Sequence, residues 1–256
     1  MKRLALVGIA LGLVLTALPA ASQEGDVAGM MIRLKPKNGM TDQLVEGLKK
    51  HTEFHAGKKD PWQWEAWQIS SGENTGDFII GTFEHKWADF DNVPVSGPEH
   101  EADWKKNGAP YTESMNTMYI ADMPSHSVTP PKGTPTAKLA TLVTVYLKPE
   151  KVEDYVNAIS KIPAAFAKAG SDRQYYFSRV VAGGRQPAFL LWWVTKSWAS
   201  MDRPGNFLKV LEDTYGPTDG ASILDTLSKS SLHESNFTIL TYREDLSYKP
   251  SAPSSD

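Results

Sequence analysis

The chain carries one strand-to-helix junction twice, and this repeat constrains the fold more than any other feature. Phe78-Ile79-Ile80-Gly81-Thr82-Phe83-Glu84-His85-Lys86-Trp87-Ala88-Asp89-Phe90-Asp91 aligns without a gap on Phe189-Leu190-Leu191-Trp192-Trp193-Val194-Thr195-Lys196-Ser197-Trp198-Ala199-Ser200-Met201-Asp202, 111 residues further on. Each copy is an apolar run of strand length that ends in a polar pair. Trp-Ala follows, then an apolar residue and Asp, where a helix can start. Leu34-Lys35-Pro36 recurs as Leu147-Lys148-Pro149 at an offset of 113, so the duplication reaches back to the first strand of each half.

Within that frame the first half reads as strand (Val27 to Leu34), helix (from Met40, with Leu44, Val45 and Leu48 at helical spacing), strand (Trp62 to Ile69), hairpin loop, strand (Phe78 to Glu84), broken helix and short strand (Thr117 to Ala121). Residues 123–138 hold four prolines and little to bury, and read as a linker. The same order returns from Leu139, with a longer helical segment from Ala221 to Leu232 that the first half lacks. The expected organisation is a first unit at 23–122, the linker, a second unit at 139–248 and a disordered Pro/Ser-rich tail at 249–256.

Two β-α-β-β-α-β units predict an α+β chain of two tandem ferredoxin-like units, each sheet covered by helices on one face. Its strands are apolar on both faces. Val143, Val145 and Leu147 alternate with Leu142, Thr144 and Tyr146, and Leu190 and Trp192 alternate with Leu191 and Trp193. A solvated face would show charge at every second position, so the two sheets are expected to pack face to face. The element order, the Leu-Lys-Pro turn and the Trp-Ala junction resemble the dimeric α/β-barrel superfamily, which includes antibiotic-biosynthesis-monooxygenase-like and NIPSNAP-like proteins. The resemblance covers both units, as a tandem fusion of what is usually a dimer. It implies an intramolecular barrel, and a range of functions from haem enzymes and cofactor-free monooxygenases to proteins with no known reaction.

Met1-Lys2-Arg3, the apolar run from Leu4 and the small residues Ala20-Ala21-Ser22 have the three regions of a secretory leader over 1–22, predicting an exported, periplasmic or extracellular protein. Without the leader the chain has 25 basic and 30 acidic residues, a net charge of −5. A mildly acidic chain with no basic block argues against nucleic acid as partner, and no later stretch is apolar enough to span a bilayer. The absence of cysteine excludes thiolate catalysis and Cys-based metal sites.

Two constellations carry candidate chemistry. His51 and His55, one helical turn apart, with His85 at the exit of the third strand, form a candidate metal or haem set. The equivalent positions in the second half are near Pro163 and Ala167, so this set belongs to one unit. The alternative is a pair of histidines at a helix C-terminus, where a cation suits the dipole. The other constellation is aromatic and charged: Trp62, Trp64, Glu65 and Trp67 on strand two, with Tyr146, Tyr175, Arg179, Trp192 and Trp193 in the second unit and Arg33 in the first. Facing the barrel interior, these would bind a flat or acidic molecule, the arginines holding a carboxylate and a tyrosine donating a proton. Packed as core, they would bind nothing. Trp87 and Trp198 read as pins that hold each second helix to its sheet. Where the copies disagree, Gly81 and Thr82 stand against Trp192 and Trp193, so a pocket is expected to open toward the first unit.

Three functions are therefore open: an exported small-molecule-binding barrel, monomeric or homodimeric; a monooxygenase-like oxidoreductase, cofactor-free or haem-dependent; and a structural or interaction protein with a packed barrel.

Overall fold

Alternation along a strand sends successive side chains to opposite faces, and this sorting builds the protein layer by layer. A computed structural model describes residues 27–131, 133–202, 206–232 and 236–250; the leader at 1–22 and residues 251–256 of the tail lie outside these. The first unit runs β1 (Val27–Pro36), α1 (Thr41–Gly57), β2 (Glu65–Ile69), β3 (Phe78–His85), α2 (Pro98–Asn107) and β4 (Thr112–Asp122). The second runs β5 (Leu139–Tyr146), α3 (Val152–Ile159), α4 (Ile162–Lys168), β6 (Tyr175–Ala182), β7 (Ala188–Thr195), α5 (Phe207–Tyr215), α6 (Pro217–Ser230) and β8 (Asn236–Tyr242).

The differences from the sequence reading have local causes. β2 starts at Glu65 and not at Trp62, because Asp60 Oδ1 accepts from the Trp62 N–H at 2.9 Å and holds that stretch in a turn. β4 is longer than the sequence suggests because it pairs with β1 along almost its whole length, from Asp122 opposite Val27 to Thr112 opposite Pro36. The long stripe after Pro149 breaks into α3 and α4 just before Pro163, whose ring cannot supply a helical N–H.

All ladders are antiparallel, and the sheet closes in the order β1-β3-β2-β8-β5-β7-β6-β4. Each unit contributes four strands in the ferredoxin-like order, β4-β1-β3-β2 and β8-β5-β7-β6. They join at β2–β8 and β4–β6, so neither sheet keeps a free edge. The segments after β4 and β8 repeat the exchange. Val128 and Tyr175 trade two backbone bonds of 2.9 and 2.8 Å, and Tyr248 and Trp64 do the same. Each unit thus lays its last residues along the second strand of the other.

The barrel interior is packed. Met31, Trp67, Ile69, Ile79, Ile120, Ala140, Leu142, Val180, Ala188, Leu190 and Leu240 form one buried cluster drawn from all eight strands, with Phe83, Met118, Tyr146, Trp192 and Tyr242 against it. Trp67 lies 5.2 Å from Trp192 and 5.0 Å from Tyr242, centroid to centroid. The pocket expected toward the first unit is filled by Phe83. A Cβ on Gly81 would lie 2.4 Å from its ring and one on Gly29 2.9 Å, so the two glycines make room for a phenyl group and not for a ligand.

Outside the barrel the two helical layers differ. α5 and α6 bury Leu211 and Ile223 in a helix–helix core with Ala158 and Ala165, whereas α2 has no buried residue. What α2 offers α1 instead is polar and aromatic.

Candidate metal centre

Helix α1 carries His51 and His55 on one face, since residues four apart are neighbours along a helix. Helix α2 starts at Gly97, which takes φ 83°, followed by Pro98 at its first position. That start places His100 and Asp103 opposite the histidine face of α1. The helices can come this close because residue 47 is glycine: a Cβ there would lie 1.8 Å from the Asn107 carbonyl oxygen. The three imidazoles form a triangle, with ring centroids 4.9 Å apart for His51 and His55, 4.9 Å for His51 and His100, and 5.3 Å for His55 and His100.

Two aspartates hold the rings from behind. His51 Nδ1 donates to Asp103 Oδ2 at 2.6 Å, and Asn107 Nδ2 donates to the other oxygen of that carboxylate at 2.8 Å. His55 Nδ1 donates to Asp60 Oδ2 at 2.6 Å, an oxygen that also accepts from Trp64 Nε1 at 2.9 Å. Because a carboxylate only accepts, His51 and His55 each carry a proton on Nδ1, which leaves Nε2 as the nitrogen a metal could take. Burial pushes the Asp60 carboxyl up, but the bonds from His55, the Trp62 N–H and Trp64 outweigh it and hold it below its ordinary value. Burial pushes His51 down to about 4 against the opposing bond to Asp103, and the neighbouring imidazoles of His55 and His100 add to the fall. His100 is lowered by burial and by His55. Burial that disfavours the protonated ring, as at His51 and His100, is the direction a metal requires of its ligands.

One ring nitrogen from each of His51, His55 and His100 lies within 4.8 Å of the others. Three atoms at that spacing share a point no more than about 2.8 Å from each, so ring shifts of about 0.7 Å bring all three to the ~2.1 Å of a zinc–imidazole bond. Haem does not fit this arrangement. Haem iron takes its protein ligands singly or as an axial pair, whereas here three imidazole nitrogens lie within 4.8 Å of one another.

His85 is not part of the set. Its Nε2 is 2.5 Å from Thr82 Oγ1, its ring stacks on Trp62 at 3.9 Å, and burial lowers its pKa. A bulge separates it from the histidine helix: the β1–β3 register shifts between Ala28 and Met30, and Glu84 takes φ 63°. The aromatic constellation also divides. Arg33, Glu65, Trp67, Tyr146 and Trp192 follow the interior register. Arg33 Nε lies 3.5 Å from Asp77 Oδ2, Tyr146 lies under Arg185, and burial raises the Glu65 carboxyl. Tyr175 and Trp193 face outward instead, 4.7 Å apart in the helix-side core with Phe166. Their odd numbers put them on the face of Phe177 and Leu191, opposite Val180 and Leu190. Arg179 shares that parity and is exposed beside Val152. Trp64 joins the histidine cluster through Asp60 and His55, and Trp62 sits between Trp64, His85 and Phe90. Trp87 and Trp198 are 39% and 57% exposed and each opens a 3₁₀ turn, with Trp87 lying 6.1 Å from Phe90.

Sequence reasoning missed His100, Asp60 and Asp103. The available signal was His100-x-x-Asp103 in the first turns of a helix with no apolar stripe, a pattern that offers polar groups to whatever it packs on.

No family model matches the chain, and a search of the curated proteins finds no match. Among solved structures, the chain is similar to a protein assigned as a monooxygenase from Fusobacterium nucleatum, at TM-score 0.59 and 13% identity over 86% of this chain and 94% of that one. It is similar to another so assigned from Lactobacillus acidophilus, at TM-score 0.57 and 8% identity over 88% and 97%. A chlorite dismutase from Candidatus Nitrospira defluvii follows at TM-score 0.51 and 9% identity over 88% and 93%. At these identities the likeness is one of fold: the chain has the dimeric α/β-barrel fold, with both halves in a single polypeptide.

Proposed function

We propose that this protein binds a divalent transition metal through His51, His55 and His100, on the helical face of its first unit and not inside the barrel. The observation that carries the reading is that one ring nitrogen from each of the three imidazoles lies within 4.8 Å of the others, with two of the rings held by buried or half-buried aspartates. Carboxylate–histidine pairs of this kind are the usual outer shell of a metal site. Imidazole donors suit zinc, copper, iron or nickel and disfavour magnesium and calcium. Three protein ligands leave a fourth position for water or a small ligand, as in zinc sites that do chemistry. The packed lumen weighs against the barrel as a small-molecule site. The three-part leader supports placing the centre outside the cytoplasm. An oxidoreductase role for this centre would need a redox-active metal, copper or iron, in place of zinc, so the identity of the metal bears on that reading.

The test is calorimetric titration of chelator-stripped protein with zinc and with copper(II). One equivalent per chain is expected, lost in His51→Ala, His55→Ala and His100→Ala and retained in His85→Ala. Undiminished binding in a variant lacking all three histidines would overturn the reading.

A further inference from the structure

The metal reading leaves a fourth position whose surroundings are specific. Phe54 lies against the imidazole triangle almost evenly, its centroid 6.1 Å from His51, 6.0 Å from His55 and 6.1 Å from His100. Lys58, the residue that caps the C-terminus of α1, holds its Nζ 5.6 Å from the Phe54 centroid and bonds to Glu99, the residue before His100. The rim of the centre is thus an apolar ring with an ammonium group beside it. Asp103 and Asp60 sit behind the histidine rings, so neither can take the open position while it holds its Nδ1 proton.

We propose that the fourth position takes a small anion, with Lys58 as its counter-charge and Phe54 as the limit on its size. This rests on the metal reading above. A divalent ion among three neutral imidazoles keeps its full positive charge, which is the largest local charge in such a site. On this proposal the anion sits on the Phe54 side of the metal, and Lys58, whose Nζ is 5.6 Å from that ring and bonded to Glu99, turns toward it. On the same proposal Phe54, about 6 Å from all three imidazoles, admits an anion of a few atoms, such as azide or acetate, and excludes one carrying its own ring, such as benzoate. Lys58 is then a specificity-determining residue, and Glu99 holds it in place until the anion arrives.

Cobalt(II)-loaded protein tests this, because the visible bands of tetrahedral cobalt report its fourth ligand. Azide is expected to shift the spectrum saturably. Lys58→Gln should weaken azide up to about fivefold, the effect of losing one solvent-facing charge pair, and Lys58→Arg should preserve most of the affinity. Glu99→Gln, which releases Lys58, should tighten azide. Benzoate should leave the wild-type spectrum unchanged and shift that of Phe54→Ala. An absence of cobalt bands would overturn the metal reading itself. Bands insensitive to azide, or equal azide affinity in wild type and Lys58→Gln, would overturn the anion site and leave the metal reading standing.

Discussion

Acidifying the metal-free protein should expose how deeply His51 is embedded. Its side chain is 15% exposed, and burial with two neighbouring imidazoles lowers its pKa from the ordinary 6.5 to about 4. Between those values the unfolded chain binds a proton at His51 that the folded chain refuses. Stability is therefore full above pH 6.5, is lost as the pH falls toward 4, and levels off below. The interval is about 2.5 pH units, and at ~1.4 kcal/mol per unit the loss reaches about 3 kcal/mol. With a urea m-value of roughly 2–3 kcal/mol/M, the unfolding midpoint moves by about 1 M. Urea titrations in half-unit steps from pH 8 to 4, on wild type and His51→Gln, isolate the effect, because nearly all other titrating groups are common to both. The stability difference between the two proteins should change with pH between 6.5 and 4 and be flat above. If wild type instead gained stability over His51→Gln on acidification, the Asp103 carboxylate would be holding His51 as a cation, and the argument from burial would be refuted. Saturating zinc, which also keeps His51 unprotonated in the folded protein, should raise stability throughout but leave this slope in place, because the proton is gained by the unfolded chain.

Three further outcomes follow from the same geometry. Asp60→Asn, which deprives His55 of its carboxylate, should weaken zinc by ~10–100-fold in chelator competition, while Glu53→Gln, an exposed residue on the same helix, should leave it unchanged. Gly47→Ala forces α2 away from α1 at the Asn107 carbonyl, and should cost about 1–3 kcal/mol in urea unfolding and weaken zinc as well. Phe83→Ala empties the space between Gly29 and Gly81. It should destabilise by about 3 kcal/mol, the low end for a phenylalanine because Phe83 is only partly buried, without affecting zinc.

The fold was legible because its information is local and repeated. A strand whose two faces are both apolar announces a second layer, and two copies of the Phe78–Asp91 junction announce two sheets to supply it. The interior was legible in part. Parity placed Arg33, Glu65, Trp67, Tyr146 and Trp192 on the face where they are found. The same rule, applied without a fixed origin to β6 and β7, let Tyr175, Arg179 and Trp193 stand with them, although a shift of one residue moves a side chain to the other face. Phe83 shows a second limit. Its run looked like an ordinary strand, and nothing local says that its ring folds back over Gly81 to close the expected opening.

The histidine centre divides along the same line. Helical spacing alone put His51 and His55 on one face, since a 3.6-residue period is a property of the backbone. Which third histidine joins them depends on how α2 crosses α1, and that crossing is set by Gly47 and Gly97, fifty residues apart. His85 was nearer to them in sequence than His100, yet it is carried off by a bulged strand to stack on Trp62. The chain by itself determined the duplication, the two sheets and their closure, because these follow from patterns within each strand and helix. The tertiary structure decided that the lumen is filled and that His100, Asp60 and Asp103 gather around His51 and His55, because contacts between elements depend on crossing angles and side-chain rotamers that no local period encodes.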